Sequence, residues 1–364
     1  MENEDYLTKQ ILTYIGNKRS LRQFITKGVH FIQKKLGKDK LNIFDVFSGS
    51  GSVARCFKQY ADTLLVNDLE KYSQITNECY LANSADLPLT KLHDTYRHLL
   101  HTISANPLFE GFITELYAPK DDDNIHEGER VFYTHRNAIY IDTMRQLIDH
   151  VDVPLQKFFL APLLSESSIH SNTSGLFKGF HKNPQTGIGQ FGGGHQDALS
   201  RIKGEIELPF PVFSNFQCHS IVYCGNANEI VKIAPEVDLA YLDPPYNQHP
   251  YGSNYFMLNL IVENKRPATI SKISGIAEGW NRSAYNKQQF SYDALTDLII
   301  TIKAKYVLLS FNSEGFITLD EMKTLLKKIG KVDMLETNYN TFRGCRNLSN
   351  RSIHVKEYLY LLEK

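Results

Sequence analysis

The stretch Leu41-Asn-Ile-Phe-Asp-Val-Phe47 is followed directly by Ser48-Gly49-Ser50-Gly51, and this junction decides the fold. The apolar run predicts a buried strand, the two glycines predict a tight turn, and residues 52–60 have the pattern of a helix. Farther along, residues 64–66 predict a second short strand, and residues 72–82 have helical spacing. Such alternation of strands and helices predicts an α/β fold with a parallel, doubly wound sheet, which binds ligands at the carboxyl ends of its strands.

Three later segments also have the apolar pattern of buried strands: His219–Tyr223, Val237–Leu242 and Tyr306–Ser310. Residues 85–214 instead show helical segments and a polar, Gly-rich tract over Ser171–His195. The length and glycine content of this tract favour a binding surface over an ordinary solvated loop. We therefore predict one α/β domain formed by residues 1–84 and 215–364, with residues 85–214 inserted into it.

The composition is that of a globular protein without a membrane span. The chain has 364 residues, enough for two domains or for one domain with a large insertion. No run of about 18 apolar residues could cross a bilayer, and the acidic start Met1–Tyr6 lacks the apolar segment of a secretory signal. We predict a cytoplasmic protein that does not contact membranes. Because the formal net charge is +0, any binding to nucleic acid must depend on locally clustered charge.

The cysteines argue for reduced thiols and against a metal site. They are scattered, odd in number and without a Cys-x-x-Cys pair: Cys56, Cys79, Cys218, Cys224 and Cys345. Cys218, His219 and Cys224 are possible ligands, but they lie in a strand-like stretch and no second ligand pair accompanies them. We therefore expect no metal.

The tetrapeptide Asp243-Pro244-Pro245-Tyr246 directly follows an apolar run and predicts a strand that ends in a rigid turn. Two consecutive prolines restrict φ and remove two backbone donors, so the strand cannot continue. The turn gathers a carboxylate, a backbone carbonyl and an aromatic ring. These groups suit a planar substrate with an amino group, such as a nucleobase, because oxygens accept from the amine while the ring stacks on the plane. Taken alone, the tetrapeptide is equally consistent with an ordinary turn.

A second motif lies in the glycine turn. Residues 49–54 fit the pattern G-x-G-x-x-A, and Asp68 closes the next strand at the spacing expected of a ribose-binding acid. A glycine turn followed by such an acid can bind NAD and S-adenosylmethionine equally well. A nicotinamide dehydrogenase would leave the turn at Asp243 unexplained, whereas an enzyme that methylates the amino group of a base would use both motifs. Together the motifs favour a methyltransferase.

Four blocks occur in a specific order: Tyr14–Lys18, Asp45–Gly51, Asp243–Tyr255 and Ser310–Gly315. With them the chain resembles the adenine-specific DNA methyltransferases that place their target-recognition region between the cofactor loop and the catalytic motif, as bacterial Dam methylases do. Within that family it is most similar to the FokI-like and NlaIII-like restriction-modification methylases. A fifth block, Tyr339–Ser349, is similar to the C-terminal block of the family, and its Arg343 and Arg346 are candidate phosphate contacts.

The resemblance implies a Rossmann-like, S-adenosylmethionine-dependent methyltransferase with an inserted target-recognition region at residues 85–214. It also implies a set of cofactor contacts: Tyr14, Gly16, Lys18, Asp45, Phe47, Gly49, Gly51, Asp68, Asn226 and Asp243. In such enzymes the glycine loop lies against the cofactor, the acid at Asp68 holds its ribose, and the N-terminal block contacts its methionine end. At Asn226 the family more often has an aspartate, although the amide can still donate and accept hydrogen bonds.

The resemblance assigns catalysis to Asp243, Pro244, Pro245 and Tyr246. The Asp243 carboxylate and the Pro244 carbonyl would accept the two N6 hydrogens of adenine and direct the nitrogen lone pair toward the sulfonium methyl group. Tyr246 would stack on the base. A base inside a duplex cannot present N6 in this geometry, so the target adenine must flip out. Tyr251 and Tyr255 either line the pocket for that base or lie in the core.

The implied partners are double-stranded DNA and a separately encoded restriction endonuclease, for a protein that is a monomer or weak dimer. Alternatives within the class are an N4-cytosine methyltransferase, whose motif usually begins with Ser, and an RNA-directed enzyme. Asp243 favours adenine. The alternative outside the class is a non-catalytic module that binds cofactor and DNA, and the intact motif and glycine loop argue against it.

Overall fold

The computed structural model describes residues 2–196, 198–340 and 354–364. Within these residues one seven-stranded sheet forms, in the order β3-β2-β1-β4-β5-β7-β6. The strands are β1 (Leu41–Asp45), β2 (Ala61–Asp68), β3 (His219–Cys224), β4 (Val237–Leu242), β5 (Ala304–Asn312), β6 (Lys331–Asn340) and β7 (His354–Glu363). The predicted C-terminal block at residues 339–349, with Arg343 and Arg346, lies almost wholly outside the described residues.

Helices of the described part connect and flank these strands. They are α1 (Glu4–Thr8), α2 (Arg22–Leu36), α3 (Ser52–Phe57), α4 (Lys71–Tyr80), α5 (Leu89–Ala105), α6 (Phe112–Tyr117), α7 (His135–Asp149), α8 (Val153–Ile169), α9 (Leu199–Lys203), α10 (Ala227–Ile233), α11 (Tyr251–Asn254), α12 (Phe256–Glu263), α13 (Gln288–Thr301) and α14 (Leu319–Ile329). None of them is both long and apolar enough to cross a membrane.

The sheet is mixed, and not wholly parallel as the alternation of elements predicted. Strands β3, β2, β1, β4 and β5 are parallel, but β7 runs antiparallel to both β5 and β6. The sequence pattern missed the hairpin β6–β7 because β6 is an edge strand with one solvated face, so its apolar residues alternate with polar ones. The five parallel strands include all of those predicted from apolar runs.

Helices cover both faces of the sheet, as expected for a doubly wound fold. On one face Ile25 and Val29 of α2 pack against Ile43 and Leu308 of the strands. Helices α10, α13 and α14 pack against the opposite face of the same sheet. Strand β4 is buried along its whole length. The carboxyl ends of β1, β2 and β4 therefore meet at one edge, where ligands bind in folds of this kind.

Residues 85–214 pack on the part of the chain that contains the sheet through a shared core. Their helices α5 to α8 form one apolar cluster together with α4 and α12. Tyr117, Ile141 and Phe159 from the insert lie in the same cluster as Tyr255 and Phe256, which follow the Asp243 turn. The insert is thus held beside the predicted catalytic motif by apolar packing and not by a free linker.

Candidate active site

A cavity of about 290 Å³ opens at the carboxyl ends of β1, β2, β3 and β4. Its wall includes most of the predicted site residues: Tyr14, Gly16, Lys18, Asp45, Phe47, Gly49, Asp68, Asn226, Asp243 and Pro245. The predicted residues Gly51, Pro244 and Tyr246 are not part of this wall. Segments far apart in the chain therefore converge on one site.

The turn after β1 requires glycine at two positions. Gly49 and Gly51 have φ values of 51° and 74°, a region that side chains strongly disfavour. A Cβ atom on Gly51 would lie 2.8 Å from Oδ1 of Asn77, and one on Gly49 would lie 3.0 Å from the ring of Tyr14. Gly51 thus acts by shaping the turn at the start of α3, although it is not in the cavity wall.

Asp68, at the end of β2, holds the glycine turn in place. Its Oδ2 accepts a hydrogen bond from the Gly49 amide at 2.8 Å, and its Oδ1 accepts one from the Glu70 amide at 2.9 Å. Burial nevertheless raises the pKa of Asp68 to about 6, with these backbone donors opposing the rise. The carboxylate therefore fixes the backbone around the cavity and also forms part of its wall.

Asp45 is a buried carboxylate without a well-formed hydrogen bond. Its side chain is fully buried, and neither carboxylate oxygen has a hydrogen-bond partner of normal geometry among the residues that the structure describes. Burial raises the pKa of Asp45 well above its usual range, and the nearby carboxylates of Asp243 and Asp68 raise it further, while the Phe47 amide opposes them. Because an unpaired buried carboxylate is unfavourable, this position suits a positively charged ligand group.

Asp243 directly follows β4 and faces a lysine. The Nζ atom of Lys18 lies 3.3 Å from Oδ1 of Asp243 and 2.8 Å from Oε1 of Glu357. Burial raises the pKa of Asp243 to about 7; Lys18 counteracts this rise and Glu357 adds to it. A single ammonium is therefore shared between two carboxylates at the predicted catalytic position.

Tyr246 lies beside this pair. Its ring makes an edge contact with Phe311, with centroids 5.7 Å apart, and the Lys18 ammonium lies 5.6 Å from its centroid. The Phe316 amide donates a hydrogen bond to the Tyr246 carbonyl at 3.1 Å, which fixes the turn. The aromatic ring of Tyr246 and the Asp243 carboxylate are therefore close to the same cation, Lys18.

The structure separates the roles of Tyr251 and Tyr255. Tyr255 is completely buried, and its hydroxyl accepts a hydrogen bond from the Ile15 amide at 2.7 Å. Tyr251 is part of the cavity wall. Both rings stack on Tyr14, with centroids 5.1 Å away for Tyr251 and 4.7 Å for Tyr255. Tyr255 thus supports the N-terminal segment from the core, and Tyr251 faces the site.

Several wall residues were not predicted. Glu70 accepts hydrogen bonds from Asn259 at 2.6 Å and from Asn281 at 3.2 Å, and burial raises its pKa to about 7. Asn281 and its neighbours 282–286 close one side of the cavity. Glu70 lies only two residues after Asp68, so its position in the sequence could have identified it as a wall residue. Residues 281–286 contain no motif that could have done so.

An aromatic pair forms another side of the cavity. The ring of Tyr285 makes an edge contact with Phe47, with centroids 5.1 Å apart, and its hydroxyl donates to Oδ1 of Asn228 at 2.8 Å. Asn226 begins α10, and its side chain accepts a hydrogen bond from the Asn228 amide. The predicted residues Phe47 and Asn226 are therefore joined at this side by Tyr285, which sequence reasoning missed.

The charges of the wall are unbalanced. Within residues 2–196, 198–340 and 354–364, the carboxylates of the wall are those of Asp45, Asp68, Glu70 and Asp243, and its cationic side chains are those of Lys18 and Arg282. Lys18 is already paired with Glu357 behind the wall. Such an excess of negative charge in a partly buried cavity favours a cationic ligand.

Comparisons with known proteins agree with this geometry. The chain is similar to the type II methyltransferase M.NlaIII of Neisseria lactamica, with 28% identity over 361 residues that cover 97% of this chain and 99% of the relative. It is 26% identical over 356 residues to the type II methyltransferase M.CviAII of Paramecium bursaria Chlorella virus 1, covering 96% and 97% of the two chains. It is 25% identical to the type II methyltransferase M.FokI of Planomicrobium okeanokoites, covering 97% of this chain but 53% of that longer relative.

A family model gives the assignment directly. The model of the D12 class N6 adenine-specific DNA methyltransferases matches residues 14–325, which include Tyr14, the glycine turn, the insert and the Asp243–Tyr246 turn. Methyltransferases of this family use S-adenosylmethionine as methyl donor. The Rossmann-like fold, the acidic cavity and the family match agree, and the chain belongs to the D12 class N6 adenine-specific DNA methyltransferases.

Proposed function

We propose that this enzyme methylates N6 of a flipped-out adenine within a short sequence of duplex DNA, as the modification enzyme of a restriction-modification system. The observation that carries the proposal is the junction of the acidic cavity with the Asp243–Tyr246 turn. A carboxylate, a carbonyl and an aromatic ring there adjoin a cavity suited to a cationic cofactor. The type II names of its relatives support the restriction-modification setting.

The cavity residues fit S-adenosylmethionine, which carries an ammonium and a sulfonium. The buried and unpaired Asp45 carboxylate suits the ammonium of the methionine end. Lys18 has three N–H donors; it donates one to Glu357 and forms an ion pair with Asp243 at 3.3 Å, so a donor is left for the methionine carboxylate. At the aromatic side, Phe47 and Tyr285 offer rings and Asn226 an amide for the adenine moiety of the cofactor.

S-adenosylmethionine supplies an electrophilic methyl group on its sulfonium. The chain supplies orientation: the ionised Asp243 and the Pro244 carbonyl accept the two N6 hydrogens, so the nitrogen lone pair points toward the methyl group. The second proline, Pro245, keeps the turn rigid. As the N6–C bond formed and the sulfonium S–C bond broke, leaving a neutral thioether, N6 would become positively charged, and the Asp243 carboxylate would stabilise that charge until N6 lost a proton to water.

The target base must leave the duplex before its amine can reach Asp243. Unstacking costs a few kcal/mol, which contacts in the pocket have to offset. Stacking on Tyr246 contributes to this, and the ring of Tyr251 lies at the cavity wall nearby. Tyr246 is held by Phe311 and by the Phe316 amide, so little side-chain entropy is lost when the base binds.

We propose that residues 85–214 bind DNA through the Gly-rich tract. The tract is held by Asn172, whose side-chain amide donates to the Val131 carbonyl at 2.8 Å and whose Oδ1 accepts from the Gly192 amide at 3.0 Å. A small hairpin projects from it, closed by the bridge between Lys182 and Gly189. The tip residues 184–187 are exposed. A rigid base with an exposed polar tip is suited to reading a DNA groove.

A substitution in this hairpin tests the DNA assignment. Lys182→Ala removes an exposed ammonium, so DNA affinity should fall about three- to tenfold and the salt dependence of binding should lose about one unit of slope. Binding of S-adenosylmethionine should not change. Fluorescence anisotropy with labelled duplex over a salt series measures both quantities. Lys327→Ala, which replaces an exposed lysine of α14, is the control and should bind DNA normally; equal behaviour of the two variants would contradict the assignment.

The activity itself is tested by single-molecule sequencing with modified-base detection. DNA from cells that express the wild-type chain should carry N6-methyladenine at one short motif, and DNA from cells that express Asp243→Ala should carry none. Asp243→Ala should still bind S-adenosylmethionine, measured by calorimetry. Unmodified DNA in both strains, or modified cytosine in the wild-type strain, would refute the proposal. A loss of cofactor binding in the variant as large as its loss of methylation would refute the catalytic role of Asp243.

We further infer the setting of the enzyme from its family and relatives. Its partners are double-stranded DNA and a separately encoded restriction endonuclease, and it acts in the cytoplasm as a monomer or weak dimer. Resistance of methylated DNA to a co-expressed neighbouring nuclease would test the first point. Light scattering of the purified chain, with and without duplex DNA, would test the second.

A further inference from the structure

We infer that Glu357, on the C-terminal strand β7, is a positioning residue for methyl transfer: it competes with Asp243 for the Lys18 ammonium and keeps the Asp243 carboxylate available to the substrate amine. The inference rests on the proposed function. It concerns a residue beyond the family match, which ends at residue 325. It also lies outside every motif that the sequence singled out.

The geometry shows the competition. Lys18 is 4% exposed and Glu357 is 1% exposed, so both charges are shielded from water. Lys18 Nζ lies 2.8 Å from Oε1 of Glu357 but 3.3 Å from Oδ1 of Asp243, which is 16% exposed. Among the described residues, Oδ1 of Asp243 has no hydrogen bond of normal geometry. The lysine is therefore bound more closely to the supporting carboxylate than to the one at the cavity.

The sheet holds Glu357 in this place. Its Oε1 accepts a second hydrogen bond from the Ser310 hydroxyl at 2.7 Å. Ser310 lies on β5, and the antiparallel pairing of β5 with β7 sets Asn312 opposite Glu357. Because Ser310 on β5 and Glu357 on β7 belong to paired strands, the sheet and this hydrogen bond hold the carboxylate behind Lys18. The unpredicted antiparallel hairpin thus supplies a charge to the catalytic edge of the sheet.

The charge balance explains what this arrangement does. In the part of the chain that the structure describes, the charged and titratable groups around Asp243 are Lys18 from the N-terminal segment, Asp45 from β1, Tyr241 from β4, Tyr246 from the turn, Tyr251 from α11 and Glu357 from β7. Lys18 is the cation of this group. If Glu357 lost its charge, Lys18 would pair with Asp243 alone, which would weaken Asp243 as a hydrogen-bond acceptor for N6.

The test uses Glu357→Gln, which keeps the size and the acceptor oxygen for Ser310 and Lys18 but removes the charge. The rate should fall about five- to tenfold at the pH plateau, and the acidic limb of kcat/KM for S-adenosylmethionine should move about one pH unit lower, because Asp243 loses a like-charged neighbour and gains the lysine. The KM for the cofactor should stay within about threefold of wild type. A loss of packing alone would lower the rate without shifting the acidic limb of the pH profile of kcat/KM.

Two further variants separate charge from shape. Glu357→Asp keeps the negative charge, so its acidic limb should stay near that of the wild type. Glu336→Gln removes an exposed carboxylate from the neighbouring strand β6, where it pairs with Lys356, and should change neither rate nor limb. All four proteins are assayed as full-length chains on the same methylatable duplex, over about pH 5.5 to 9.

The outcomes are distinct. A wild-type chain without adenine methylation would refute the proposed function itself. An active wild type with an unmoved acidic limb in Glu357→Gln would overturn the inference and leave the proposed function intact. Failure of Glu357→Gln to fold, while Glu336→Gln folds, would also overturn it, because Glu357 would then act through packing. A shifted limb restored by Glu357→Asp supports the inference.

Discussion

At the scale of the residue, Asp45 is the strongest indication that the cavity binds a ligand. A fully buried carboxylate without a well-formed hydrogen bond destabilises the unliganded protein, and its pKa rises because the charged form is poorly solvated. The same features make it a strong partner for an ammonium that enters the cavity. In the function that we propose, this loss of stability is exchanged for cofactor binding, as is common at functional sites.

Replacing this carboxylate by the isosteric amide should change stability and binding in opposite directions. Asp45→Asn should raise the melting temperature of the unliganded enzyme at pH 8 by about 2 °C, because a neutral amide replaces a buried carboxyl group whose charged form is poorly solvated. It should weaken binding of S-adenosylmethionine at least about tenfold, since the ammonium loses its counter-charge. Scanning calorimetry and titration calorimetry measure the two effects.

Asp62→Asn is the matched control for Asp45→Asn. Asp62 is an exposed carboxylate near the start of the neighbouring strand β2, so its neutralisation should leave both the melting temperature and cofactor binding unchanged. If Asp45→Asn were less stable than wild type and bound the cofactor normally, Asp45 would be a structural residue and not a cofactor contact.

At the scale of the element, the turn between β1 and α3 determines how closely the backbone can approach the ligand. Its two glycines have positive φ values, and one of them lies against Asn77 of α4. Asp68 then ties the turn to the end of β2. The strand-turn-helix unit was predictable because two closely spaced glycines after an apolar run are typical of a tight turn after a buried strand. The hydrogen-bond partners of the turn were not predictable.

Gly51→Ala tests this unit. The substitution combines a disfavoured φ of 74° with a Cβ atom 2.8 Å from Oδ1 of Asn77, so the turn must shift. We expect a loss of about 1–2 kcal/mol in the free energy of unfolding and at least about tenfold weaker cofactor binding. Urea denaturation and titration calorimetry measure these values.

Gly37→Ala separates backbone strain from damage to the site. Gly37 ends α2 with a φ of 63°, and a Cβ atom there would meet nothing within 4 Å. Its replacement by alanine should therefore lower stability through φ strain but leave cofactor binding intact. Equal loss of binding in both variants would mean that general destabilisation, and not the shape of the turn, explains the effect.

At the scale of the whole molecule, the cavity links stability to pH. Burial raises the pKa of Asp68 to about 6 and those of Glu70 and Asp243 to about 7. Carboxyl groups in an unfolded chain titrate near about 4, so between about pH 4 and 7 the folded state binds more protons than the unfolded state. The stabilising protonation is therefore present at low pH and is lost as the pH rises through the folded pKa values.

The unliganded enzyme should accordingly melt about 3 °C lower at pH 8 than at pH 6. Saturating S-adenosylmethionine should raise the melting temperature more at pH 8 than at pH 6, because the cationic cofactor compensates carboxylates that are ionised there. Glu70→Gln, which removes one of the shifted groups, should show a smaller difference between the two pH values. A melting temperature that rises with pH in the unliganded wild type would contradict this linkage.

The sequence by itself determined the residue types at the catalytic edge and their convergence. Apolar runs locate buried strands, and the carboxyl ends of parallel strands meet at one edge, so the glycine turn, Asp68 and the Asp243 turn had to lie together. Only the tertiary structure decided which side chains support them. The antiparallel hairpin brings Glu357 behind Lys18, Asn281 reaches Glu70, and Tyr255 is buried while Tyr251 faces the cavity. Those contacts join residues far apart in the chain, and they depend on distances and angles of a few ångströms and degrees that no pattern of apolar and polar residues encodes.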